Sequence, residues 1–97
     1  MPPVSILIAD DHELVRKGIR TVLEARTGWQ VVAEAGDGRE AVKKTQELKP
    51  QVAVLDISMP LLNGLEATRQ IAKIAPQTKV LILTMHDACL LYTSRCV

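Results

Sequence analysis

The chain has 97 residues, 47% of them apolar, and 12 basic against 11 acidic side chains give a formal charge of +1. That bounds it to one small domain with a modest core. No basic run stands out, and one Trp, one Tyr and no Phe leave neither an electrostatic footprint for nucleic acid or anionic membrane nor a base-stacking surface.

The opening MPPVSILIAD lacks the basic lead of a signal peptide. Its apolar stretch Val4 to Ala9 (VSILIA) reads as a strand covered on both faces. Asp10 and Asp11 end it. A helical stripe follows: Leu14/Val15, Gly18/Ile19 and Val22/Leu23 recur at spacing four with charged residues between, and Gly28 closes the helix. Gln30 to Ala35 (QVVAEA) is a second, more polar strand, expected near an edge. Gly36-Asp37-Gly38 is a turn, with Asp37 placed to cap the next helix. Ala41/Val42, Thr45 and Leu48 form that helix's stripe, and Pro50 stops it.

VAVLD, residues 52 to 56, is a third buried strand that closes on an acid. Pro60 to Gly64 is loop. Leu65, Thr68, Ile71/Ala72 and Ala75 make a third helical stripe ending before Pro76, and Lys79 to Thr84 (KVLILT) is a fourth strand. Strands alternating with helices over short connections predict an α/β fold: a doubly wound parallel sheet with helices on both faces. No apolar run is long enough to span a bilayer. Both cysteines, Cys89 and Cys96, lie at the end of the chain, which fits a reducing cytoplasm.

In a parallel sheet the carboxyl ends of the strands share one rim, where ligands bind. Asp10, Asp11, Asp56 and Thr84 each fall at such an end. Clustered carboxylates repel unless a cation joins them, and hard oxygen donors suit Mg²⁺. A carboxylate nucleophile beside Mg²⁺ is a phosphoryl-acceptor arrangement, with Thr84 able to hydrogen-bond a transferring oxygen. Taken singly, Asp11 reads as a helix N-cap, Asp56 as a turn former and Thr84 as an ordinary strand residue. The joint placement favours the metal-assisted carboxylate site. His12 and His86 form no ligand-spaced pair and read as solvated or helix-start residues; Met59 and Met85 read as packing. Gly36-Asp37-Gly38 lacks the spacing and lysine of a phosphate loop.

ILIADDHELVRKGI, EAGDGREAV, VLDISMPLLNGLEATRQI and KVLILTMHD together resemble the receiver domain of two-component response regulators, a flavodoxin-like fold. The DDHELVRKG and LTMHD wording is similar to the NarL/FixJ subfamily, whose members usually add a DNA-binding helix-turn-helix. The resemblance implies a sheet of order 2-1-3-4 and a signalling phosphoacceptor rather than an enzyme. It further implies Asp56 as the acceptor, Asp10 and Asp11 as the Mg²⁺-binding pair with Asp11 favoured as direct ligand, Ser58 as a backbone-carbonyl ligand, and Thr84 as the switch hydroxyl. The implied donor and partner is a sensor histidine kinase, with DNA binding left to another domain of the parent protein. The mode of dimerisation is left unassigned.

The resemblance runs from about Val4 to Asp87. No lysine follows Lys79, so the family's phosphate-pairing lysine is absent, and Tyr92 is not in the context of its aromatic switch residue. The expectation is therefore an incomplete receiver domain over residues 1–87, its fifth strand and last helix missing, and a non-native tail over 88–97. Cys89 to Val97 back-translates into inverted copies of a transposon mosaic end used in sequencing libraries, so adapter DNA is its expected source. A chain so built would expose its fourth strand as an apolar edge, leave the sheet beside the first helix partly bare, and be marginally stable or aggregate. Two other readings stay open. A Mg²⁺-dependent aspartyl-phosphate phosphohydrolase of the haloacid-dehalogenase type would need an acid two places after its nucleophile, where Ser58 stands. The other is an inert receiver-shaped fragment.

Overall fold

The computed structural model describes residues 3–57, 59, 62–84 and 89–92. They form β1 (Val4–Ala9), α1 (Glu13–Glu24), β2 (Trp29–Ala35), α2 (Gly38–Leu48), β3 (Val52–Asp56), α3 (Gly64–Ile74), β4 (Lys79–Thr84) and β5 (Cys89–Tyr92). The sheet order is β2-β1-β3-β4-β5. The first four strands are parallel, with β2 at one edge as its polar pattern predicts.

Period-two alternation sends successive strand residues to opposite faces. Leu7 and Ala9 of β1, Ala53 and Leu55 of β3, and Val80 and Ile82 of β4 join one core with Ala41 of α2 and Ala67 and Ile71 of α3. Ile6, Ile8, Val31 and Val54 face the other way and take Ile19 and Leu23 of α1. Among the described residues, two helices therefore cover one face and α1 covers the other. Many of the side chains under α2 and α3 are alanines, which lets those helices sit close to the strands. Met59 is buried in the same core, a packing residue as expected.

Three expectations are corrected. The first is the open β4 edge, for although the sheet has four parallel strands as expected, a further strand lies against β4. β5 pairs antiparallel with β4, from Leu81↔Tyr92 to Thr84↔Cys89. So short a return cannot house the crossover that a parallel strand requires, and a hairpin is what it permits. The second concerns Gly28, which does not close α1. That helix ends at Glu24 with Ala25 as its cap, and Gly28, at φ 87°, turns the chain into β2 while its carbonyl accepts from Val4 N at 2.6 Å. Only a left-handed turn residue without a Cβ adopts that φ cheaply. The third concerns stripe ends: Leu48 and Leu65 are exposed, and α3 buries Ala67 beside the expected Ile71.

Candidate functional site

β1 and β3 are direct neighbours, with Ala9 paired to Leu55. The residues that follow this pair, Asp10 and Asp56, therefore leave the sheet side by side at its carboxyl rim. Both are essentially buried, at 1% and 2% exposure. Asp11 is next in chain and more open. Ligand atoms of Asp10, Asp11, His12 and Asp56 all lie within 4.8 Å of one another, so three predicted site residues meet. Thr84 ends β4 one residue beyond the Asp56↔Leu83 pair; its side chain, like Ser58, Met85 and His86, lies outside the described residues.

Local hydrogen bonds hold the acidic corner. Asp10 N donates to Ala35 O at 3.0 Å, tying the rim to β2. Asp10 Oδ1 accepts from His12 N at 2.8 Å. His12, not Asp11, is the N-cap of α1, and it caps without a side-chain bond, so Asp11 has no capping duty. His12 is exposed at the helix start as expected. Its Nδ1 nevertheless lies 3.0 Å from Asp11 Oδ1 and 3.4 Å from Asp10 Oδ1, a closeness the sequence reading missed.

Asp10 Oδ2 is fully buried and has no hydrogen-bond partner among the described residues. An unpaired buried carboxylate oxygen is costly. Here it belongs to a cluster of oxygen donors at one rim, the donor chemistry of a hard divalent cation. Mg²⁺ fits this donor set, which Asp10, Asp11 and Asp56 could supply.

The other side of Asp56 is closed by α3. Asn63 caps that helix by accepting from Glu66 N at 2.9 Å, and Gly64 N donates to Ile57 O at 3.2 Å. A Cβ on Gly64 would come within 2.6 Å of Asp56 O, so only glycine lets the helix start rest on the Asp56–Ile57 peptide. Neither contact was read from the sequence, although Asn63 three places before Glu66 is a capping pattern that signals the first.

Two carboxylates, Glu34 on β2 and Glu40 on α2, are paired with basic side chains. Glu34 accepts from Arg16 Nε at 2.9 Å and Arg20 Nη1 at 2.7 Å. Partial burial pushes its carboxyl pKa up, but the two guanidinium hydrogen bonds outweigh that, and the pKa lies below its ordinary 4.5. Glu40 is also held low, first by the Gly36 N–H, then by Lys44 over the opposing effect of burial.

Fold and rim together define a doubly wound α/β domain carrying a carboxylate cluster where its parallel strands end. A model of the response regulator receiver domain matches residues 6–95, beyond the Asp87 limit of the motif resemblance. The chain belongs to that family. Transcriptional regulatory protein DegU of Brevibacillus brevis is 42% identical over 84 residues, 87% of this chain and 36% of DegU. The chain thus spans little more than a third of that relative's length. The signal receiver domain of the response regulator NarL from Mycobacterium tuberculosis superposes with a TM-score of 0.85 at 32% identity, covering 90% of this chain and 70% of that one. The CheX–CheY–BeF3–Mg²⁺ complex from Borrelia burgdorferi matches with a TM-score of 0.80 at 26% identity over 86% of this chain and 63% of that chain. Among the described residues no helix is long and apolar enough to cross a membrane.

Proposed function

We propose that Asp56 accepts a phosphoryl group, with Asp10, Asp11 and Asp56 holding Mg²⁺ and the Ser58 carbonyl completing the protein's share of its ligands. The observation that carries this reading is the meeting of three carboxylates within 4.8 Å at the strand ends, one of them with a buried, unpartnered oxygen. The donor is a phosphohistidine on a sensor histidine kinase. An Asp56 carboxylate oxygen attacks phosphorus; the new O–P bond forms as the N–P bond breaks, and the electron pair returns to the donor's imidazole nitrogen. Bound Mg²⁺ supplies positive charge to the transferring oxygens. Thr84 offers its hydroxyl to one of those oxygens from the neighbouring strand end. Asp10 stays fixed by its bonds to β2 and the α1 start, so the cluster is organised before the donor arrives.

The product is a modified chain rather than a released one, so the domain works as a stoichiometric signalling acceptor and not as an enzyme. The Mg²⁺ and BeF3 of the CheX–CheY complex support both halves of this reading. DegU is a transcriptional regulatory protein, which supports reading the parent as a transcription regulator; a cytoplasmic location and a separate DNA-binding domain are what the NarL/FixJ resemblance adds. The test is incubation of the chain with acetyl phosphate, read by intact mass. Phosphate is expected on the wild type with Mg²⁺, and on neither the EDTA-treated chain nor Asp56→Asn; equal labelling of Asp56→Asn would overturn the assignment.

A further inference from the structure

The spacing of α1 presents Arg16 as one polar residue among several. In the structure its side chain is only 19% exposed and divides between two partners. Nη1 donates to the main-chain carbonyl of Asp10 at 2.6 Å, and Nε donates to Glu34 Oε1 at 2.9 Å. Glu34 Oε2 takes Arg20 Nη1 at 2.7 Å, and Arg20 Nε reaches Glu24 Oε1 at 3.2 Å. A guanidinium is a rigid planar fork. Holding Nε therefore sets the plane in which Nη1 meets Asp10.

The Asp10 main chain is held from both sides, its N–H by Ala35 O and its C=O by Arg16. That carbonyl shares one rigid peptide plane with the Asp11 N–H. Fixing the plane fixes where the Asp11 Cα sits and the axis about which its φ turns, which narrows the positions open to its carboxylate. The Arg16, Arg20, Glu24 and Glu34 charges also sum to zero, so the network can orient the acids without a net positive field opposing a cation.

We propose that Arg16, set by Glu34, is a positioning residue that aims the acidic corner and raises its affinity for Mg²⁺. This rests on the reading of the cluster as a Mg²⁺ site. The experiment is calorimetric titration of the full chain with MgCl2, well below its unfolding midpoint, on wild type, Arg16→Met, Arg16→Lys, Glu34→Gln and Asp11→Asn, with thermal unfolding of each. Arg16→Met is expected to raise the Mg²⁺ Kd about tenfold, the low end for outer partners of metal ligands. Arg16→Lys should recover part of this, since an ammonium can reach the carbonyl but cannot fork, and Glu34→Gln should weaken binding with Arg16 still present. A pure charge effect would instead tighten binding in Arg16→Met, because a nearby cation is removed. A purely structural role would lower the midpoint at unchanged Kd. Either result overturns the proposal; if Arg16→Met does not fold, an unchanged Kd in Glu34→Gln does so. If the wild type shows no Mg²⁺ binding that depends on Asp11, the site reading itself fails, and this proposal with it.

Discussion

At Asp10, every polar atom but one has a described partner: N–H to Ala35, C=O to Arg16, Oδ1 to His12. The remaining oxygen, Oδ2, is buried without one. Asp10→Asn keeps an oxygen for the His12 N–H and removes a charge from beside Asp11 and Asp56. The metal-free variant is expected to unfold at higher temperature than wild type, a gain of about 1 kcal/mol appearing as roughly 4–8 °C. It should also lose the further rise that Mg²⁺ gives the wild type, about 2.7 kcal/mol at a hundred times Kd. Differential scanning calorimetry with and without MgCl2 checks both; an unaltered Mg²⁺ shift in the variant contradicts the site. Glu34 makes a separate residue-scale prediction. Its folded pKa lies below the ordinary 4.5, so its contribution is fully present above that value and is lost as pH falls through the lower folded value. Glu34→Gln should cost about 1–2 kcal/mol near neutral pH, and the difference from wild type should shrink toward acid. Urea midpoints across that range measure it.

Helix starts were legible where one residue announces them. Asp37, flagged by its place in Gly36-Asp37-Gly38, accepts from Glu40 N at 2.8 Å as the cap of α2. Asp37→Ala is expected to cost about 1 kcal/mol, measurable by denaturant unfolding, with little change in Mg²⁺ affinity because Asp37 is not one of the residues whose ligand atoms gather at the rim. The start of α3 was less legible, since its determinant is a contact between segments. Gly64 lies against the Asp56 carbonyl, and no local pattern reveals which backbone will approach a glycine. Gly64→Ala should therefore both destabilise the chain and weaken Mg²⁺ binding, by shifting the peptide that carries Asp56. The ionic network of Arg16 and Glu34 escaped for the same reason. Glu34 could be noted as a polar residue in a strand, but its partner sits eighteen residues earlier on another element.

On the scale of the whole molecule, apolar runs ending in acids announced a parallel sheet with Asp10, Asp11 and Asp56 at one rim, whereas the order β2-β1-β3-β4 came from the family resemblance, since no run of residues says which strand will lie beside it. The antiparallel β5 was missed, since four residues, CLLY, fix neither the strand they will pair with nor the direction in which they will run. Among the described residues, the face beside α1 carries an open apolar pocket of about 500 Å³ bounded by Ile19, Val22, Leu23, Val54, Leu81 and Leu83. Val22 is 70% exposed there. One helix on this face against two on the other makes it the weak side of the core. The isolated chain is expected to bind a hydrophobic dye and to aggregate with rising concentration, checked by dye fluorescence and light scattering. The source of Cys89 to Val97 remains our proposal of adapter DNA; a read from source DNA encoding CLLYTSRCV would overturn it.

The central claim is that residues 10, 11 and 56 share one divalent ion. Calorimetric titration with MgCl2 of the wild type against Asp11→Asn and Asp56→Asn tests it most directly. One ion per chain is predicted for the wild type, with binding strongly weakened in both variants. A wild type that binds no Mg²⁺, or variants that bind it as well as the wild type does, would contradict the account.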